Sequence, residues 1–293
     1  MPPEVGALPP RSIGRGGGSW LRTMPALPAG RYFGAKVMGM STTAPSPGVE
    51  YVIVLYDRET SRVAGLVDGH HVTAFRTAAT SATAVDALAP PRVGRLAVLG
   101  SGLEAGMHVR AFRAVRDIEE LVFYSPTPER REALASELGG RAVEHPRDAV
   151  ADAAVVLAAA RSRGEVPIVF ADWLAPSALV VSIGSTVPEQ REIDFGIVEW
   201  SDLIVCDDPN EVIHETGDMI EATRAGVAFE HKTVSLHALL AGELDERTAG
   251  ARRLLYKSVG SGLQDVVVAG FVLERALAAE LATPLPFEFL TKH

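Results

Sequence analysis

Hydrophobic and polar positions along this 293-residue chain follow two different rhythms. The first thirty residues hold turn formers and little periodicity. RYFGAKVMGM then carries a strand-like apolar pattern around Lys36. A hairpin signal follows: YVIVLYD (Tyr51 to Asp57), a polar turn from Arg58 to Arg62, and VAGLVD (Val63 to Asp68). Beyond the Asp68-Gly69 turn, the Ala-rich stretch from Thr73 to Leu88 has helical spacing, and Pro90-Pro91 stops it. From Val93 the rhythm changes to short apolar runs alternating with helical segments. Strands are predicted at Leu96–Leu99, Glu120–Tyr124, Arg141–Val143, Val155–Ala158, Leu179–Ile183 and Leu203–Cys206. One intervening helix is marked at both ends, with Thr127 as N-cap, Pro128 at its first position and Gly139-Gly140 as its stop. Near-continuous apolar strands alternating with helices imply a parallel sheet covered on both faces. The tail has helix-like segments over 211–225 and 235–242 and a strand-like LLYKSVG. A long helix is then expected from Leu263 to Leu281, with Val266, Val267, Gly270, Phe271, Leu273 and Leu277 as a broad buried stripe against the first block.

The turn after the first of the alternating strands reads Gly100-Ser101-Gly102-Leu103-Glu104-Ala105, the G-x-G-x-x-G/A form of the dinucleotide fingerprint. Gly100 permits the tight strand-to-helix turn, Gly102 lets a pyrophosphate approach the backbone, and Ala105 lets the helix pack closely on the strand. The helix N-terminus then presents unpaired N–H groups and a positive dipole end to the phosphates. A strand before, a helix after and a second strand about twenty residues on give the motif its expected context. The fold class is therefore α/β: a doubly wound Rossmann domain over 91–255, plus a smaller α+β domain built from both chain ends, 1–90 and 256–293.

Composition narrows the class further. With 47% apolar and 22% charged residues the chain is an ordinary globular protein. The net charge of −9 argues against a nucleic-acid surface. A single cysteine, Cys206, excludes an intrachain disulfide and suits a reducing cytoplasm. It sits in the run LIVC, where a small buried hydrophobe is expected. No apolar stretch reaches the roughly 18–20 residues of a membrane span. The Pro/Gly-rich start lacks the apolar core of a secretory signal and reads as extended. No metal-ligand pattern is present.

The end of the second strand bears on the choice of nucleotide. In NAD-type folds an acidic residue there binds the ribose 2′-hydroxyl. Here the strand ends Phe123-Tyr124-Ser125-Pro126-Thr127, with no carboxylate. Ser125 and Thr127 can bind a 2′-phosphate, and Arg130 and Arg131 lie on the following helix turn. NADP(H) is expected over NAD(H); the alternative leaves both arginines as a solvated helix face.

A second constellation lies outside the alternating region. Lys36 stands in an apolar neighbourhood where a charge needs a reason. Arg76 stands in a helix of small side chains, and Arg11 follows Pro9-Pro10. Three cations in one small domain can clamp a substrate carboxylate. At these residues the chain resembles the ornithine cyclodeaminase/mu-crystallin family. The resemblance runs through PPR at 9–11, MP at 24–25, GAK at 34–36, VDGHHVTAFRTAATSATA at 67–84 and GSGLEA at 100–105. It continues through IGSTVPEQREID at 183–194, ETGD at 215–218 and YKSVGSGLQDVVVA at 256–269. It implies an NAD(P)-dependent enzyme acting on a small imino or amino acid, commonly a homodimer. It also implies that Arg11, Lys36 and Arg76 hold the substrate carboxylate beside the nicotinamide. Thr77 and the segment Ser258, Val259 and Gly260 fall in the blocks lining the cofactor and the cleft.

Three departures from the family pattern matter. Cyclodeaminases carry an Asp that handles the ring-closing amine; aligned on Gly184 and Pro188, that position is Thr186. A threonine cannot serve as a carboxylate base near neutral pH. Glu104 replaces the usual Gln and is expected to point away from phosphate. Family members usually have a further strand and helix before the PPR block; either the start is shortened or residues are missing, and the first domain is expected to lean on a partner subunit. The favoured reading is hydride transfer between nicotinamide and the α-carbon of a 2-imino or 2-amino acid, as in ketimine or pyrroline-2-carboxylate reductases or alanine dehydrogenases. Lys36, its pKa lowered by apolar surroundings and neighbouring arginines, is the expected proton donor. Arg22, Met38 and Thr186 are candidate lining residues, and His70 and His71 are expected to be structural or exposed. Ornithine cyclodeamination and non-catalytic ligand binding are the alternatives.

Overall fold

The computed structural model describes residues 9–45, 48–160, 164–244 and 250–290. It divides into two compact units, Met1–Arg76 with Ser261–His293, and Thr77–Gly260. The first unit is a five-stranded antiparallel meander, β1 (Ser12–Gly16), β2 (Ser19–Ala26), β3 (Tyr32–Ser41), β4 (Val49–Asp57) and β5 (Val63–Asp68), paired in chain order. The second unit holds an eight-stranded sheet whose pairings are all parallel.

The alternation of the chain accounts for most of these elements, and the exceptions are local. The turn-rich start is a β-hairpin: Gly17 and Gly18, at φ +58° and +74°, form the two-residue turn that pairs Gly16 with Ser19. Its second strand alternates, burying Arg22, Met24 and Ala26. The described structure begins at residue 9, so the expected extended start at 1–8 lies outside it. Helix α1 (Gly69–Leu88) starts four residues before the expected Thr73, because the Asp68 carboxylate accepts the His70 N–H at 2.9 Å and caps the first turn. His70 and His71 are exposed in that turn.

In the parallel sheet the successive elements are β6 (Arg92–Leu99), α2 (Leu103–Val115), β7 (Asp117–Tyr124), α3 (Pro128–Leu138), β8 (Arg141–Ala142), α4 (Pro146–Val150), β9 (Val155–Ala158) and β10 (Ala178–Ser182). They continue with α5 (Phe195–Trp200), β11 (Leu203–Cys206), α6 (Pro209–Glu215), α7 (Gly217–Arg224), β12 (Thr233–Ser235), α8 (Leu236–Leu240) and β13 (Arg253–Lys257). The spatial order is β12-β11-β13-β10-β9-β6-β7-β8. Residues of β6, β9, β10 and β11 are buried on both faces, in two clusters on opposite sides of the sheet. Cys206 is fully buried in one of them, and burial pushes its thiol pKa up.

The unit boundaries fall at 76/77 and 260/261, away from the expected 90/91 and 255/256. Two facts move them. The second half of α1 buries Ala82, Ala84 and Val85 among Val93, Leu96 and Phe112. The strand holding Tyr256 and Lys257 inserts between β10 and β11. The helix expected over 211–225 is broken at Thr216, which leaves helical geometry at φ −104°, ψ 132° and sends its hydroxyl back to the Val212 carbonyl at 2.7 Å.

The last helix, α9 (Gly262–Ala278), covers one face of the meander, packing Val266, Ala269 and Leu273 against Ala26, Tyr32, Ile53 and Leu55. Its buried stripe is narrower than expected: Val267, Phe271 and Leu277 are more than half exposed, because only the i, i+3, i+4, i+7 positions meet the sheet. No helix among the described residues is long and apolar enough to cross a membrane.

Candidate active site

In the second unit the fingerprint turn is built as its sequence requires. Gly100 has φ +140°, and a Cβ there would lie 2.6 Å from the Ala159 carbonyl oxygen. Its N–H is bonded to the Tyr124 carbonyl at 2.9 Å, fixing the end of β6 to the end of β7. Gly102 is the N-cap of α2, has no side chain to bond the first turn, and would have open space around a Cβ. Ala105 is fully buried, whereas Leu103 is 40% exposed at the rim. The site is a backbone cradle backed by a helix dipole, which fits a dinucleotide pyrophosphate. Glu104 turns away along the helix: its carboxylate lies 3.6 Å from buried His108, whose Nδ1 meets the Glu104 carbonyl at 2.7 Å and whose Nε2 meets Ser81 Oγ at 3.1 Å. The substitution of Glu for the usual Gln therefore puts no carboxylate into the cradle.

At the end of β7, Ser101 Oγ donates to buried Ser125 Oγ at 2.8 Å, and the Thr127 N–H reaches the same oxygen at 3.4 Å. The Arg131 guanidinium donates to the Ser125 carbonyl at 3.1 Å. Thr127 and Arg130 are exposed beside it. The structure thus gathers Ser101, Ser125, Thr127 and a guanidinium at one strand end.

Other expected cofactor and substrate residues are engaged within the protein. Asp207, just after β11, accepts from Ser258 Oγ at 2.7 Å, the Val259 N–H at 3.0 Å and the Gly260 N–H at 2.8 Å. These groups shape the loop after β13. Thr186 gives its N–H and hydroxyl to Gln190 Oε1 at 3.1 and 3.3 Å. Thr77 is buried in α1.

In the first unit Lys36 and Arg76 meet at a residue the sequence reading left out, Asp265 in the first turn of α9. Lys36 Nζ lies 2.6 Å from Asp265 Oδ2, and Arg76 Nε donates to Oδ1 at 2.9 Å. Arg76 Nη1 also donates to Gln264 Oε1 at 3.1 Å. Ser261 and Gln264 form a capping box that sets this turn in place. Lys36 and Asp265 are essentially fully buried, Arg76 nearly so. Strand pairing places Met24 opposite Lys36 and Arg22 opposite Met38, so Arg22, Met38 and Tyr51 share the Lys36 face. Burial lowers the Lys36 pKa to about 8, aided by the Arg76 and Arg22 charges and opposed by Asp265. Arg11 immediately precedes β1 and is half-buried. Among these three residues two cations meet one carboxylate, an excess of positive charge that can pair with an anion. Asp265 could have been found: a carboxylate inside the apolar run LQDVVVAGF needs a cation as partner.

An open parallel sheet carrying a glycine cradle at its carboxyl edge defines a dinucleotide-binding protein of the doubly wound class. Residues 5–280 match the Ornithine cyclodeaminase/mu-crystallin family, and the chain belongs to it. It is similar to the ketimine reductase mu-crystallin of Macropus fuliginosus, 29% identical over 241 residues, which span 80% of this chain and 72% of that one. Among solved structures it is similar to the pyrroline-2-carboxylate reductase of Thermococcus litoralis in complex with NADH and L-proline, with TM-score 0.82, 26% identity and coverage of 95% and 89% of the two chains. It is equally similar to a protein of Bordetella pertussis Tohama I described as a probable ornithine cyclodeaminase, with TM-score 0.82, 31% identity and coverage of 94% and 88%.

Proposed function

We propose that this chain is an NAD(P)H-dependent reductase of a small 2-imino acid. The observation that carries the reading is the buried, net positive Lys36–Asp265–Arg76 group in a chain that also holds a dinucleotide cradle. Relatives named as ketimine and pyrroline-2-carboxylate reductases support it. The dinucleotide would be held by Gly100, Ser101, Gly102, Leu103 and Ala105 and, when bound, supplies a hydride. Arg76 is oriented by Asp265 and Gln264 to pair with the substrate carboxylate, and Arg11 is assigned to the same carboxylate. The Lys36 ammonium delivers the proton that the imine nitrogen takes up as its carbon is reduced. Asp265 is a positioning residue that holds both cations. Thr186, in the place of the cyclodeaminase carboxylate, supplies no base for ring closure.

Three finer assignments belong to the same reading. Ser125, Thr127 and Arg130 favour NADP(H) over NAD(H), since no acidic side chain stands at the end of β7 to meet a ribose 2′-hydroxyl. A homodimer forms through the uncovered face of the meander, where Leu21, Val52 and Leu66 are 52%, 40% and 47% exposed. Function in a reducing cytoplasm agrees with the single buried, unpaired cysteine.

The test is NADPH and NADH oxidation with pyrroline-2-carboxylate, set beside ammonia and proline release from ornithine. Imine-dependent oxidation without proline formation from ornithine is expected. Efficient proline formation from ornithine would overturn the reading in favour of the cyclodeaminase.

A further inference from the structure

The second unit contains a buried ionic network that the reductase reading does not use. It lies where the loops leave the carboxyl ends of β10, β13 and β9. Glu192, completely buried, accepts from the Ala160 N–H at 3.0 Å, the Gly184 N–H at 2.8 Å and Ser182 Oγ at 2.7 Å. Lys257 Nζ donates to Ser182 Oγ and to the Ser185 carbonyl, each at 3.0 Å, and lies 3.3 Å from Asp218 Oδ2. Asp218 in turn accepts the Glu192 and Ile193 N–H groups at 2.8 and 3.2 Å and faces Arg191 Nε at 3.5 Å. A Cβ at position 184 would collide with the Glu192 carboxylate, so only glycine admits this approach.

Glu192 is two contacts from the nucleotide cradle. It holds the Ala160 N–H, and the preceding residue's carbonyl, that of Ala159, lies against Gly100. The Ala159 N–H is bonded to Leu99 at 2.9 Å. In open parallel sheets the ligand lies just outside these strand ends.

We propose that Glu192 is a positioning residue for the bound dinucleotide, its carboxylate clamping the loop after β9 to the loop after β10 and so setting the wall beside the Gly100 turn. The assignment rests on the dinucleotide reading above. Oε1 accepts from the Ala160 N–H and Oε2 from the Gly184 N–H and the Ser182 hydroxyl, so the full set of bonds uses an ionised carboxylate; a proton on Oε1 breaks the bond to Ala160, and one on Oε2 forces the Ser182 hydroxyl to turn from donor to acceptor. Burial raises the Glu192 pKa to about 7, against the pull of Lys257 and with Asp218 adding to the rise. Lys257 from β13, Asp218 from α7 and Arg191 beside it are the charged groups around it. The clamp therefore closes as pH rises through neutrality.

The test is titration of the wild type and of Glu192→Gln with whichever of NADH and NADPH the wild type binds more tightly, from pH 6 to 8, with thermal unfolding as the control for folding. The wild type is expected to bind more tightly as pH rises. Glu192→Gln, whose amide turns a donor toward a donor, is expected to bind about tenfold more weakly at pH 8 and to lose the pH dependence. Ser182→Ala, which removes one donor and leaves the carboxylate, is expected to shift the midpoint of the binding profile upward. A folded Glu192→Gln protein with wild-type affinity and profile overturns the proposal. If that variant does not fold, an unmoved midpoint in Ser182→Ala overturns it instead. A wild type that binds neither nucleotide overturns the dinucleotide reading and this proposal together.

Discussion

Each of the two units buries an ionic group, and the two groups are built oppositely. In the first unit two cations, Lys36 and Arg76, meet at one carboxylate, Asp265. In the second, two carboxylates, Glu192 and Asp218, face two cations, Lys257 and Arg191. Backbone N–H groups from Ala160, Gly184, Glu192 and Ile193 take up further carboxylate oxygens there. A buried charge that its surroundings do not neutralise is costly to keep, and a ligand of opposite sign relieves that cost. A group balanced within the protein gains nothing by binding an ion and serves to hold loops in register.

The largest expected effects come from breaking the ligand-facing elements. Lys36→Ala should lower kcat/KM for imine reduction by about 10²–10³, the usual cost of removing one donor at a developing charge. Steady-state oxidation of NADPH with pyrroline-2-carboxylate measures it, and a loss below tenfold would remove Lys36 from the chemistry. Gly102→Val should lower dinucleotide affinity by a comparable factor, since the new side chain fills the pyrophosphate position while meeting nothing in the protein. Fluorescence titration with unchanged thermal unfolding checks both parts.

A middle-sized effect concerns pH. Activity should fall above about pH 8 as Lys36 loses its proton. In Asp265→Asn that alkaline limb should move to lower pH, because the group that raises the lysine pKa is gone. The linked stability has the opposite sense. The folded pKa lies below the ordinary 10.5, so the cost of burying the charged lysine is present below about pH 8 and is relieved as pH rises toward 10.5. Chemical unfolding at pH 7 and pH 10, compared between the wild type and Lys36→Met, isolates this contribution.

The smallest effects concern selectivity. Arg130→Glu should reverse the NADPH preference, with an affinity change of about tenfold and no loss of fold, since Arg130 is exposed. Equal NADH and NADPH affinities in the wild type would dispose of the assignment. Thr186→Ala should cost less than Lys36→Ala, because its hydroxyl is bonded within the loop to Gln190.

Residue spacing alone determined the parts of this molecule that depend on neighbours in the chain. The alternation from Val93, the strands Val155–Ala158 and Leu203–Cys206, the helix between Thr127 and Gly139, and the glycine turn are all local patterns of burial and backbone freedom. The resemblance added the alignment of Thr186 with the cyclodeaminase carboxylate, which no periodicity carries. Tertiary structure decided what depends on residues far apart. Asp265 became the partner of Lys36 and Arg76 across more than 180 positions from Arg76, a pairing set by how α9 lies on the meander. Lys257 entered the middle of the parallel sheet from near the end of the chain, and with it the network around Glu192. The same packing bound Ser258, Val259 and Gly260 to Asp207. A chain records which groups it must bury; which of them neutralise one another depends on the sheet order and helix docking that bring them within hydrogen-bonding distance.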